Sequence, residues 1–412
     1  MRNASILAFG LLLTLSCSSE SSAPAEAAVF SEDIASKAIS DYKRNVNANY
    51  GDVLTGAMSL QVAVDTFLAS PGATTFEATR KAWIEARVPY GPSEAFRFYD
   101  GPIDNPEDGP EGRINAWPLD EFEIDYTRDT PDSGLVNDLS VVDLTKDLIA
   151  EQNEKKGEKA ITSGWHAIEF LLWGQDDASP GTGPGKRPFT DYVDGGTAKN
   201  PARRRTYLQN ATRLLIDDLE SVRVAWDPAK PGNFASKFGV EPSRAASDPN
   251  ARKEVIGKLL RSIGSMAKAE LSGERMTVAF KNRSEEDEHS CFSDTTATDM
   301  LGNGIGIENV WLGRYGPFDG VGLDEVVKAA DPALATKATA DIADSVAKLL
   351  KLKQLQDSGT PIDVILQAAD GSEGRKAMLE AIQALKIVGE DMEKAATALG
   401  LTVMLEKPTE EL

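Results

Sequence analysis

Cysteine and histidine are scarce in this chain, with two of each among 412 residues. Two cysteines, Cys17 and Cys291, exclude a fold built on a framework of disulfides. Long apolar runs are missing as well. The stretch from Ile6 to Leu15 is too short to span a bilayer, and no other stretch is long and apolar enough to do so. Basic charge is in deficit, with 44 Lys and Arg against 65 Asp and Glu and a formal net charge of −21. Phosphate recognition needs a basic surface, so nucleic acid is excluded as a partner. An acidic surface attracts cations without selecting among them, and most of these acids read as solvated helix faces. Sustained strand alternation is also absent.

What is present begins with an export signal. Arg2 gives a positive start, the apolar run follows, and it ends at Leu13-Thr14-Leu15-Ser16-Cys17. A small residue before a cysteine at the end of such a run resembles a bacterial lipoprotein cleavage site. Thr14 departs from the aliphatic residue usual three places before the cysteine. The expectation is lipidation at Cys17, with simple cleavage near Ala25 to Ala28 as the alternative. Residues 18–28, rich in Ser, Ala and Glu, then form a flexible tether.

Helical periodicity dominates after Phe30. Ala35, Ile39, Tyr42, Val46, Val53, Ala57, Leu60, Val64 and Phe67 recur at three- and four-residue steps until Pro71-Gly72 ends the run. Similar stripes run through Phe76 to Arg87, Tyr207 to Trp226, Ile256 to Ala267 and Met378 to Leu399. Asp331-Pro332 reads as an N-cap with proline at the first helical position. The expected fold is all-α, in helical bundles. Two long irregular stretches, residues 99–134 and 174–201, interrupt the helices, and loops of that length often carry function. Residues 227–250 are the expected linker, which divides the chain into 1–28, 29–228 and 229–412. Gly181 to Arg187 is faintly like a phosphate loop. It lacks the first glycine, where Pro180 stands, and Arg187 replaces the magnesium-binding hydroxyl, so it reads as a turn-rich surface loop. A weak internal echo pairs Ile168-Glu169 with Ile307-Glu308, each followed five residues on by glycine, Gly174 and Gly313.

The chemistry-bearing residues gather around the two histidines. In Gly164-Trp165-His166-Ala167-Ile168-Glu169, His166 and Glu169 are three apart and share one helix face. That spacing lets an imidazole and a carboxylate reach one metal ion. Di-iron bundles use the reverse order. Gly164 would allow close backbone approach, with Trp165 beside it. A buried histidine bonded to a glutamate for structural reasons alone is the plain alternative. Around His289 stand Glu285, Glu286, Asp287, Glu288, Asp294 and Asp299, with Cys291-Phe292 in their midst implying partial burial. Carboxylates with one or two imidazoles suit iron, zinc or manganese. A solvated acidic helix end is the competing reading. Arg97, in Glu94-Ala95-Phe96-Arg97-Phe98, is a candidate partner for a buried acid. The candidate ligands are therefore His166, Glu169, Glu94, Glu288, His289, Asp294 and Glu308, with Gly164, Trp165, Arg97 and Asp299 in support.

Gly164-x-His166-x-x-Glu169 resembles the signature of the imelysin family. Four further blocks resemble that family in the right order: Trp83 to Gly91, Glu94 to Phe98, Asn115 to Asp120 and Glu286 to Asp294. The resemblance covers most of the chain from Phe30 onward. It implies two helical-bundle domains related by pseudo-twofold duplication, with the site near their interface. It implies a role linked to iron or other metals at the periplasm or outer membrane, with a metal ion or metal chelate as ligand and a membrane uptake protein as partner. Some members are classed as metallopeptidases. One departure is Ala297, where similar proteins would carry a histidine.

Three functions follow: an iron-related metal binder, a zinc peptidase and a helical adaptor without metal. A zinc peptidase needs about three protein ligands, an open position and a base. The usual His-Glu-x-x-His helix is absent. The metal binder is the preferred expectation, with iron favoured and zinc the alternative.

Overall fold

The computed structural model describes residues 30–176, 183–238, 248 and 250–410, so the expected export signal and the expected lipid site at Cys17 lie outside the described residues. The described chain is all-α but for one small antiparallel hairpin, Arg314–Tyr315 with Phe318–Asp319. The first helix, α1, is Glu32–Ala69. Ser31 caps it by accepting from the Ile34 N–H, and Glu32 and Asp33 complement its positive end. Its stripe from Ala35 to Phe67 is buried as the periodicity predicts.

Against α1 pack α2, Ala73–Arg87, and a long helix further on. Between them comes α3, Gly164–Trp173, every residue of which is buried. The long helix, α4, is Pro201–Trp226 and holds α1 and α3 together. This first bundle is followed by a second. Helix α5, Ala251–Ser265, runs directly into a wide π-helical segment, Met266–Thr277. Then come α6, Thr296–Leu312, α7, Leu323–Ala330, α8, Pro332–Asp357, and α9, Glu373–Ala398. The Asp331 carboxylate accepts from the Leu334 N–H at 2.9 Å, so the expected cap before Pro332 is present.

The two bundles share one continuous apolar core. At their seam α6 lies against the short turn Tyr90–Ser93. Gly302 and Gly91 make that approach possible: a Cβ on either would stand 3.0 Å from the other's Cα.

The long stretch 99–134 is organised rather than loose. It carries helical turns at Glu111–Ile114 and Glu121–Glu123. Arg187, read as part of a surface loop, is instead buried. It joins Asp125 at 2.7 Å, and Arg204 grips the same carboxylate at 2.6 and 2.8 Å. The loop sequence gives no hint of that inward turn, because the partners come from distant segments. Of the expected linker, Phe234 and Phe238 pack on Trp226, and Phe238 also reaches Tyr42 on α1.

Candidate metal centre

His166 and Glu169 lie on the inner face of α3. The helix begins on Gly164, whose φ is +85°. A Cβ there would stand 2.5 Å from the Ile114 carbonyl oxygen and 2.7 Å from that of Arg113. Only glycine lets the strand of residues before Asn115 pass this closely, and that approach sets Asn115 beside the histidines. Trp165 fixes the helix from the other side: its carbonyl accepts from the Trp83 indole N–H at 3.1 Å.

His289 arrives from the second bundle, in the turn before α6. The two imidazole rings stand 4.6 Å apart, centroid to centroid, although 123 residues separate them in the chain. Each is held at Nδ1 by a buried carboxylate. His166 Nδ1 is 2.8 Å from Glu169 Oε2, and His289 Nδ1 is 3.2 Å from Asp299 Oδ2. Glu169 in turn accepts from the Ser293 N–H and hydroxyl at 2.9 and 2.6 Å. Asp299 accepts from the Ser290 hydroxyl at 2.5 Å.

Arg87, the last residue of α2, occupies the centre. Its Nε donates to both Asp299 oxygens at 3.0 Å and its Nη1 to Asn115 Oδ1 at 2.9 Å. Its Nη2 lies 3.3 Å from His166 Nε2, 3.3 Å from His289 Nδ1 and 3.0 Å from Asp299 Oδ2. These contacts assign the tautomers. Asn115 turns its oxygen to Arg87, so its amide N–H faces His289 Nε2, at 3.4 Å. Asn115 and Asp299 together favour a His289 that accepts at Nε2 and donates from Nδ1 to Asp299, in which case Arg87 Nη2 approaches Nδ1 without a hydrogen bond. His166 accepts at Nε2 from Arg87 and donates from Nδ1 to Glu169. A carboxylate behind Nδ1 with Nε2 left as acceptor is the arrangement that orients metal-binding imidazoles.

Burial pushes both imidazoles well below their ordinary range, with Arg87 adding to the effect on each and Arg275 on His289. Both rings are uncharged and carry a lone pair. Burial also pushes the Glu169 carboxyl up to about 8, against the two Ser293 donors that pull it down. When Glu169 holds a proton it donates to Nδ1, and His166 then presents an N–H at Nε2, which the guanidinium repels. The 3.3 Å contact with Arg87 Nη2 is a hydrogen bond only while this carboxyl is ionised.

The other expected ligands stand apart. Glu94 is buried in a neighbouring cluster, bonded to Arg275 and, at 3.1 Å, to Arg97. Burial raises its carboxyl, but Arg275 and Arg97 bring it down to about 2. Arg97 also reaches Glu111 at 3.2 Å, so it serves this cluster and not the acids around His289. Glu288, one residue from His289, points elsewhere, to Thr296, and burial and Asp363 raise its carboxyl. Asp294 is part-buried and pushed up to about 7 by burial and Asp363. Glu308 is part-buried on α6, five residues from Asn303 and remote from both histidines by helix geometry. Among the described residues no three His, Cys, Asp or Glu side chains are arranged to hold a metal ion. At the histidine pair the guanidinium of Arg87 fills the space, 3.0–3.3 Å from His166 Nε2, His289 Nδ1 and Asp299 Oδ2. Sequence reasoning named neither Arg87 nor Asn115 for the site. Both lie in the conspicuous blocks Trp83 to Gly91 and Asn115 to Asp120, the one signal that pointed to them.

A vestibule of about 500 Å³ is lined by His289 and Asn115 at its inner end. Glu111, Glu154, Glu158, Glu270, Glu274 and Asp287 line it, against two arginines, Arg97 and Arg275. The π-helical segment supplies Glu270, Glu274 and Arg275; such wide turns are frequent at functional sites. Both arginines are already paired with Glu94 and Glu270, so the cavity presents negative charge to what enters.

A family model described as Imelysin matches residues 46–388. The chain belongs to the imelysin family. It is 23% identical over 359 residues to iron-regulated protein A of Synechococcus elongatus, covering 85% of this chain and 82% of that protein. A crystal structure from Parabacteroides distasonis, assigned as an iron-regulated protein A precursor, matches with a TM-score of 0.66 at 17% identity. That match covers 91% of this chain and 97% of the other, so the two imelysin-like folds agree nearly end to end.

Proposed function

We propose that this imelysin is an exported protein that binds a metal ion, iron by preference and zinc as the alternative, and hands it on during iron acquisition. The observation that carries the reading is the pair of imidazoles. Each is pinned at Nδ1 by its own buried carboxylate, each keeps an Nε2 lone pair, and they stand 4.6 Å apart at the end of an acidic vestibule. Two neutral imidazoles with carboxylates behind them suit a borderline ion such as ferrous iron or zinc. The vestibule raises the local concentration of any cation before it meets His289. The names of two relatives, which read iron-regulated protein A, support a link to iron. Export, with a lipid on Cys17 holding the protein at the periplasmic or outer-membrane surface and beside a membrane uptake partner, completes the proposal.

Peptide hydrolysis is less well supported. Glu169 stands behind His166, on the Nδ1 side, and its second oxygen is taken by Ser293. A general base must reach the water it activates, and Glu169 faces away from Nε2. The test is metal analysis and calorimetric titration of the tag-free protein with ferrous iron and zinc. Wild type should bind one ion, and His166→Ala and His289→Ala should each lose it while keeping their helical circular dichroism. Equal binding by both variants sinks the reading. Metal-dependent cleavage of a peptide library that disappears in His166→Ala would put the peptidase in its place.

A further inference from the structure

The vestibule is lined by acids from both bundles. Glu154 and Glu158 come from the first, Glu274 and Asp287 from the second. Among the described residues none of these four has a lysine, arginine or histidine in ion-pair contact. The two arginines of the lining are already spent on Glu94, Glu111 and Glu270. The cavity therefore repels anions and draws cations. It is not built for a bare metal ion, since no three acids or histidines converge there to hold one.

Two further side chains show what kind of cation fits. His289 is 4% exposed and lines the inner end, and the partner of its Nε2 is the Asn115 amide, 3.4 Å away. That contact is at the long limit of a hydrogen bond, so a buried ring that burial keeps uncharged is left short of a good donor. Beside it stands Trp117, whose ring meets that of His289 edge to face at 5.9 Å and forms an aromatic wall of the same cavity. Aromatic faces attract ammonium groups, and their apolar bodies cover alkyl chains.

We propose that the vestibule binds a linear aliphatic polyamine, one ammonium group donating to His289 Nε2 and the chain passing Trp117 to reach the carboxylates of both bundles. An ammonium group has donors and no acceptor, which suits a cavity lined by acceptors. Charges strung along a flexible chain serve carboxylates that do not converge, where a point charge serves one place at a time. A volume of about 500 Å³ is in the range that holds a small organic molecule. This site is independent of any ion at the histidine pair, because the amine uses the open side of His289 and leaves Arg87 where it is.

The experiment is calorimetric titration of full-length, tag-free protein with spermidine at physiological salt, where long-range attraction is screened. Wild type should show one site, and excess magnesium should not displace the amine. Glu154→Gln combined with Glu274→Gln, one acid from each bundle, should weaken binding at least about tenfold. Glu77→Gln combined with Glu85→Gln removes the same charge from the exposed face of α2 and should leave affinity within about twofold. Trp117→Leu should lose about threefold. The chain has two histidines, so nitrogen NMR of the imidazoles reads the inner end directly: spermidine should shift His289 Nε2 more than His166 Nε2. Absent binding, displacement by magnesium, equal weakening in the α2 control or an unmoved His289 resonance each overturns the proposal.

Discussion

Replacing Asp299 by asparagine tests the electrostatics of the site directly. Its carboxylate is 6% exposed, and Arg87 opposite is 4% exposed, with Nη2 and Oδ2 3.0 Å apart. At an effective dielectric of about 20, two unit charges at that distance attract by roughly 5 kcal/mol. Desolvation of both groups offsets much of this in the intact protein. It does not offset the loss when one partner goes, because Arg87 then stays buried without a counterion. Breaking such a pair costs about 3–5 kcal/mol. Ser290 and the His289 Nδ1–H share one carboxylate oxygen and Arg87 takes both, and an asparagine has only one oxygen to serve them all. Asp299→Asn should therefore lower the unfolding free energy by about 3–5 kcal/mol in urea titrations followed by circular dichroism. A surface control, Asp357→Asn, removes the partner of Lys353 at 2.5 Å, where the carboxylate is 59% exposed, and should cost under about 1 kcal/mol. A cycle with Arg87→Met should give a coupling on the order of 1–3 kcal/mol, smaller than the single loss because Asp299 serves other donors too. A loss below about 1 kcal/mol for Asp299→Asn, with no coupling to Arg87, would refute the claim that these charges neutralise one another in a dry seam.

Gly164→Ala should destabilise by about 1–3 kcal/mol from its left-handed backbone alone, with the contact at 2.5 Å to the Ile114 carbonyl adding to the loss. Thermal unfolding measures it, and an alanine variant as stable as wild type would mean that α3 does not begin in this conformation. Glu169 has a folded-state carboxyl raised from 4.5 to about 8, so its contribution to stability is fully present below 4.5 and is lost as pH rises through about 8. Over that window Glu169→Gln should flatten the decline of apo stability with pH, in denaturation midpoints taken from pH 4.5 to 8.5; an unchanged slope would mean the carboxyl is ionised throughout.

The helices were legible because their signal is local. The stripe from Ala35 to Phe67 and the cap at Asp331 depend on residues within a few positions of one another, and both appear as read. The pairing of His166 with Glu169 was legible for the same reason, three residues on one helical face. Ligands assigned by nearness in sequence fared differently. Glu288 adjoins His289 yet turns to Thr296, since neighbouring residues in an extended turn point to opposite sides. Asp299, ten residues on, is the acid that meets the ring, because α6 folds back to present its first turn. Arg87 and Asn115 lie 202 and 174 residues from His289, and no spacing rule connects such positions.

Closure of the seam ties the chemistry to the docking of the two bundles. Arg87, Asn115, His166 and Glu169 belong to the first; His289, Ser293 and Asp299 belong to the second. Neither bundle alone satisfies its buried groups. Without the second, Glu169 loses both Ser293 donors and Arg87 loses its carboxylate; without the first, Asp299 and His289 face each other with no cation between them. The penalty for an unpaired buried charge therefore holds the bundles in register, beyond what the glycine contact at Gly91 and Gly302 supplies. Asn115 and His289, one from each bundle, meet at the inner end of the vestibule on the same seam that Arg87 closes.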